Sequence, residues 1–82
     1  MTAVPNYFID ITNELCPMTF VKAKLAVERA QDGDTIEVRL QGAEPLRNVP
    51  RSMREIGHQI LSLTPEMGEG EYGIHRMLVR KV

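Results

Sequence analysis

Residues Thr35–Gln41 alternate polar and apolar side chains, which sets Ile36, Val38 and Leu40 on one face, and stretches of helical periodicity lie on both sides. Successive side chains of a strand point to opposite faces, so this segment reads as a half-buried strand. A strand with a helix before and after it must be reached and left by crossovers, and these are right-handed when they return to the same sheet. That rule gathers the helices on a single face of one sheet.

The remaining segments fit around it. Tyr7–Ile11 is aromatic and β-branched and suits a strand. Thr12–Leu15 connects it to a helix expected from Pro17 to about Gln31. Phe20, Ala23, Val27 and Ala30 recur at helical spacing, with Met18, Val21 and Leu25 as a second stripe, so the apolar surface is broad. Asp32-Gly33-Asp34 ends that helix. After the alternating strand, Gly42–Pro45 reads as a loop. Leu46, Val49, Met53 and Ile56 then mark an amphipathic helix. Proline costs little in a first turn, so Pro50 places the start of this helix near Arg47 or Asn48, and Gly57 closes it. Gln59–Thr64 and Tyr72–Val82 read as two further strands, joined by the Gly- and Glu-rich loop Pro65–Glu71. The expected fold is an α/β two-layer sandwich of order βαβαββ: a four-stranded mixed sheet with two helices on one face. The other face is left open, as a partner surface or merely a polar one.

Length allows one domain over residues 1–82, with an ordered core from about residue 7. Ten basic against eleven acidic residues give a net charge of −1, so bulk charge points to neither nucleic acid nor membrane. The single cysteine excludes an internal disulfide and a zinc site needing several thiolates. The first residues lack the basic and apolar regions of a signal peptide, and no run approaches the ~18 apolar residues of a membrane span. A cytoplasmic setting is the expectation, with no cofactor and no metal.

The one cysteine stands where strand gives way to helix, in Asn13-Glu14-Leu15-Cys16-Pro17-Met18-Thr19. Proline favours the first helical position. With Pro17 there, Cys16 becomes the N-cap, and its sulfur lies near the free amides of Met18 and Thr19 at the positive end of the helix dipole. Both features favour a thiolate, the form in which sulfur is nucleophilic. The opposing reading is a small buried hydrophobe without chemistry, and Glu14 argues against a strongly positive pocket.

Other side chains offer less. Arg47, Arg51 and Arg54 share the polar side of the second helix, as a solvated face or as a docking surface for an acidic partner. Scarce aromatic residues and the acidic balance argue against RNA there. Lys22 and Lys24 are close enough in sequence to Cys16 to support an anionic sulfur, and Lys22 joins the three arginines as a possible partner-docking residue. His58 and His75 show no spacing that would make a Cys–His pair or a metal site. Met53 and Met77 fall at core-like positions.

Taken together, the strand leading to Cys16-Pro17, the alternating strand after Gly33-Asp34, the Pro50 helix closing on Gly57-His58, and the final Leu78-Val79-Arg80-Lys81 resemble the TusA/SirA-like family from about Ile9 to Lys81. The resemblance implies the same βαβαββ sandwich and a sulfur carrier. Cys16 would accept sulfane sulfur as a persulfide from a donor protein, a cysteine desulfurase or a rhodanese-like protein, and relay it to an acceptor protein. Pro17 would be its helix-starting neighbour. Two departures stand out: Thr19 replaces the second proline of the family's Cys-Pro-x-Pro motif, and Asn13-Glu14-Leu15 replaces a Gly-Leu-Arg type of run. They bear on the choice of donor and acceptor more than on the thiol. The alternative from another class is a partner-binding or regulatory module of the same fold without sulfur chemistry.

Overall fold

The structure, a computed structural model, describes residues 5–15 and 18–82. The elements run β1 (Tyr7–Asp10), α1 (Met18–Arg29), β2 (Thr35–Leu40), α2 (Ala43–Glu55), β3 (Gln59–Pro65) and β4 (His75–Arg80). They form one four-stranded sheet of order β1-β2-β4-β3. β1 runs parallel to β2, while β4 pairs antiparallel with both β2 and β3. This is the mixed sheet with two helices that the order of elements predicts.

The core lies between helices and sheet. β2 contributes Ile36, Val38 and Leu40, and β4 contributes Met77 and Val79, which lie opposite Val38 and Ile36 in register. α1 adds Ala23 and Val27, with Ala30 just beyond its end, and α2 adds Val49 and Met53; Ile11 completes the cluster. Small residues on α1 let that helix lie close to the sheet. Phe20, expected in the central stripe of α1, packs only at the margin of the core, and Thr19 takes a buried place instead.

The second helix corrects the sequence reading. It begins at Ala43 rather than near Arg47 or Asn48, with Gly42 as its N-cap at φ +102°. The proline in the first turn is therefore Pro45, whose missing amide has no intrahelical partner to lose. Pro50 sits deep inside the helix, buried with Val49 and Met53 on its core side. It cannot donate to the carbonyl of Leu46, so burial of its ring has to offset that lost bond. The C-terminal end is as expected. With Gly57 at φ +100°, the His58 amide reaches the Met53 carbonyl at 3.0 Å and the Gly57 amide reaches Arg54 at 3.0 Å, a Schellman closure. Ile56, expected on the apolar stripe, is the exposed C-cap.

The last strand is shorter than the expected Tyr72–Val82. Tyr72 belongs to the turn before it, and its carbonyl accepts the Gly42 amide at 2.9 Å, tying the β3–β4 connection to the start of α2.

The face of the sheet without helices carries a network of charges beside Phe8 and Leu78. Phe8 and Asp10 of β1 lie opposite Glu37 and Arg39 of β2, which in turn face Leu78 and Arg76 of β4. Glu66, just after β3, joins the charges: Arg39 donates to it through Nε at 2.8 Å and Nη2 at 3.1 Å, and Arg76 through Nε at 2.8 Å. Arg39 also reaches Asp10 at 3.0 Å, and Arg76 lies 5.9 Å from the centre of the Phe8 ring. Two arginines that face each other across neighbouring strands would repel; the Glu66 carboxylate between them removes that cost.

Candidate functional site

Cys16 and Pro17, the centre of the site expected from sequence, lie outside the described residues. Their neighbours define the surroundings. β1 ends at Asp10, and Ile11 turns into the core. The Glu14 amide then donates to the Ile11 carbonyl at 3.1 Å, closing a turn. Leu15, the residue before Cys16, is 82% exposed.

Met18 and Thr19 differ from expectation in one respect. Their amides are not free, because both donate to the Leu15 carbonyl, at 2.7 and 3.3 Å. Leu15 therefore accepts the first helical hydrogen bonds, and the helix starts its bonding pattern one residue before the expected cap. What α1 offers an anion at this end is its dipole rather than a pair of open amides. Thr19 is only 2% exposed and lies on the buried face of the helix. Met18 lies on its outer side.

Lys22 is paired with Glu14. The carboxylate that stands close to Cys16 in sequence is thus neutralised by the lysine expected to support the sulfur, and the pair leaves little net charge there. Lys24 lies 3.8 Å from Glu28 along α1, an exposed pair of small energetic weight. Arg47, Arg51 and Arg54 are all exposed on α2, a separate element. Arg51 bonds Asn48 at 3.0 Å and lies 4.0 Å from Glu55. They form a solvated basic face.

A cleft of about 400 Å³ opens beside Leu15. Its walls are Thr12, Glu14 and Leu15 on one side and Gln41 to Pro45 on the other. The Gln41 side chain donates to the Thr12 carbonyl at 2.9 Å, which fixes the two walls together. The late start assigned to α2 hid this cleft from the sequence reading, since its far wall is the first turn of that helix. A Gly-Ala-Glu-Pro run was the available signal: an N-cap glycine with proline three residues on.

The histidines are occupied locally. The His75 Nδ1 lies 2.9 Å from the Gly73 carbonyl, and the His58 Nδ1 accepts the Val82 amide at 3.3 Å. Among the described residues, no group of three His, Cys, Asp or Glu side chains could hold a metal ion, and no helix is long and apolar enough to cross a membrane.

The strongest electrostatic perturbation is on the open sheet face. Arg39, then Arg76, holds the Glu66 carboxyl down at about 2, and Glu66 in turn raises both arginines above their usual range. Asp10 is lowered mainly by the hydrogen bonds from Thr12, with Arg39 adding to the effect. These groups form one connected charge network; none of them adjoins the Leu15 end of α1 in sequence.

Comparison with known proteins supplies a lineage for this geometry. The family model described as sulfurtransferase TusA matches residues 7–81. A protein of Archaeoglobus fulgidus named "Putative sulfur carrier protein" is 38% identical over 69 residues, covering 84% of this chain and 77% of that protein. One of the same name from Thermotoga maritima is 27% identical over 67 residues, covering 82% and 84%. The crystal structure of a SirA-like protein from Desulfitobacterium hafniense superposes with a TM-score of 0.70 at 20% identity, over 90% of this chain and 95% of that one. That last likeness is one of fold.

Proposed function

This chain belongs to the TusA sulfurtransferase family, and from that premise we propose that it is a sulfur carrier whose working group is Cys16. The observation that carries the reading is the position of its single cysteine. It falls, followed by proline, between an exposed Leu15 and the first turn of α1, inside the segment that matches the family.

The reaction is sulfur exchange. The Cys16 thiolate attacks the outer sulfur of a persulfide on the donor protein; a new S–S bond forms on Cys16 while the donor's S–S bond breaks and its thiolate leaves. No net oxidation or reduction occurs. An acceptor thiolate then attacks the outer sulfur of the Cys16 persulfide and regenerates the Cys16 thiolate. The dipole of α1 favours the ionised sulfur in both steps. Pro17 follows Cys16 directly in the chain, Met18 and Thr19 stand in the first turn of α1, and Lys22 acts through its pairing with Glu14. The exposed bases of α2, Arg47, Arg51 and Arg54, give a partner protein a positive surface.

The test is transfer from a cysteine desulfurase supplied with radiolabelled cysteine. Label should move to the wild-type chain as a reductant-labile adduct and stay absent from Cys16→Ser. Equal labelling of the two proteins would overturn the assignment.

A further inference from the structure

The connection from β1 to α1 is held at Thr12. The amide and the hydroxyl of this residue both donate to Oδ1 of Asp10, at 2.9 and 2.7 Å. Its carbonyl accepts the Gln41 side chain at 2.9 Å. Both backbone groups of Thr12 are thus engaged by side chains, one from the last residue of β1 and the other from the residue after β2. The Asp10 contact is an Asx turn, in which an aspartate bonds the backbone two residues on. Arg39 donates to the other carboxylate oxygen, Oδ2, at 3.0 Å, and is itself bonded to Glu66 through two nitrogens. The Asp10 carboxylate therefore has little freedom to turn away from Thr12.

On either side of Thr12 the chain is anchored. Ile11 is buried, and its amide carries the β1–β2 ladder one step further, to the Arg39 carbonyl at 2.9 Å. Glu14 bonds back to the Ile11 carbonyl at 3.1 Å and pairs with Lys22 of α1. Leu15 follows, next to Cys16 in sequence. Asp10 and Gln41 contribute little to the rest of the fold. Both are exposed, neither belongs to the core cluster, and the β1–β2 ladder is made of backbone groups that do not need their side chains. What their bonds fix is the course of residues 11–15.

We infer that Asp10 and Gln41 are positioning residues for sulfur exchange at Cys16: by holding Thr12 from two sides they set the course of the loop that leads to the cysteine. The inference deepens the carrier reading and rests on it for the reaction; the two tethers rest on geometry alone. A partner protein has to bring its outer sulfur into line with the attacking thiolate while its own surface is docked. In such a step a misplacement of about 1 Å, caused by residues away from the chemistry, can cost on the order of 10²-fold in rate. A small reagent approaches from any direction and makes no such demand.

The test compares Asp10→Ala, Asp10→Asn and Gln41→Ala with wild type, all as full chains. Sulfur transfer from a persulfide-loaded cysteine desulfurase is measured at increasing carrier concentration, which separates kcat from KM. Each alanine variant should lower kcat about tenfold with KM unchanged, the mark of a group that acts after docking. Asparagine keeps an oxygen that can accept from Thr12, so Asp10→Asn should recover most of the lost rate. Loading from inorganic polysulfide should be the same in every variant. Hydrogen exchange at the Thr12 and Glu14 amides should quicken in Asp10→Ala and stay slow in Asp10→Asn. Lys81→Met, which loses bonds to the Glu28 and Ala30 carbonyls at the far end of α1, controls for general weakening and should leave kcat and both exchange rates as they are. Wild-type kcat in the alanine variants, a change confined to KM, or polysulfide loading that falls as far as transfer would overturn the inference. So would an asparagine variant as slow as Asp10→Ala. A wild-type chain that accepts nothing from the desulfurase would instead break the carrier reading, and the inference would fall with it.

Discussion

The carbonyl oxygen of Leu15 accepts the amide of Met18 at 2.7 Å, so the first turn of α1 is already bonded where an anionic sulfur would look for open donors. The Thr19 amide shares the same acceptor at 3.3 Å. What α1 offers an anion at this end is its dipole, worth about 0.3–1 kcal/mol at an exposed helix end, which is less than one pH unit. Glu14 is held by Lys22 and adds little repulsion. The prediction is a Cys16 thiol only mildly more acidic than a free one, which the pH dependence of its alkylation by iodoacetamide will show. Half-maximal reactivity several units below that of free cysteine would mean that other donors reach the sulfur.

Glu66, held by two arginines, contributes to acid stability. Its carboxyl titrates near 2 in the folded protein, because Arg39 and Arg76 both bond it, against an ordinary value of 4.5. A carboxyl depressed by folding stabilises the native state fully above its unfolded value and loses that contribution as pH falls through the folded one. Wild-type stability should therefore drop between about pH 4.5 and 2, the window set by those two values. In Glu66→Gln the drop over that window should be smaller, as read from urea midpoints at each pH. An unchanged acid limb would show that the carboxylate is not held by the arginines in solution.

Lys81 closes the other end of α1. Its ammonium donates to the Ala30 carbonyl at 2.7 Å and the Glu28 carbonyl at 3.0 Å, so the residue after the last strand caps the first helix. Lys81→Met keeps the aliphatic stem and removes the donors. A loss of roughly 1 kcal/mol is expected, from the hydrogen bonds together with the charge at the negative end of the dipole. Urea unfolding measures it, and a stability within error of wild type would make the cap incidental.

Gly42 is the point at which sequence reading and structure parted. Two prolines in one amphipathic stretch suggested a helix delayed until Pro50 fell in its first turn. The structure instead gives that place to Pro45 and accepts Pro50 as a buried interior residue. Local rules cannot foresee this, since it is the packing of Val49, Pro50 and Met53 against the sheet that decides it. The β2 alternation was legible because Ile36, Val38 and Leu40 all face one core. Burial on α1 was ambiguous for the opposite reason: two apolar stripes were visible, and only the sheet selects which one it covers. The pairing of Glu14 with Lys22 and the meeting of Arg39, Glu66 and Arg76 depend on register and loop path, which no spacing encodes.

The same glycine yields a stability prediction. Gly42 sits at φ +102°, and an added Cβ would lie 3.3 Å from the Pro45 Cδ. Gly42→Ala should cost roughly 1–2 kcal/mol, since a β-carbon is strained at that backbone angle and the proline ring is rigid. The cost is read from thermal or urea unfolding. A neutral substitution would mean that the α2 start relaxes to a negative φ.

The central claim is that Cys16 carries sulfur, and the most direct measurement is intact mass after incubation with inorganic polysulfide, before and after reductant. The account predicts a gain of one or more sulfur atoms on the wild-type chain, reversed by reductant and absent from Cys16→Ser. A wild-type chain that gains no sulfur, although iodoacetamide alkylates the same thiol, would contradict it.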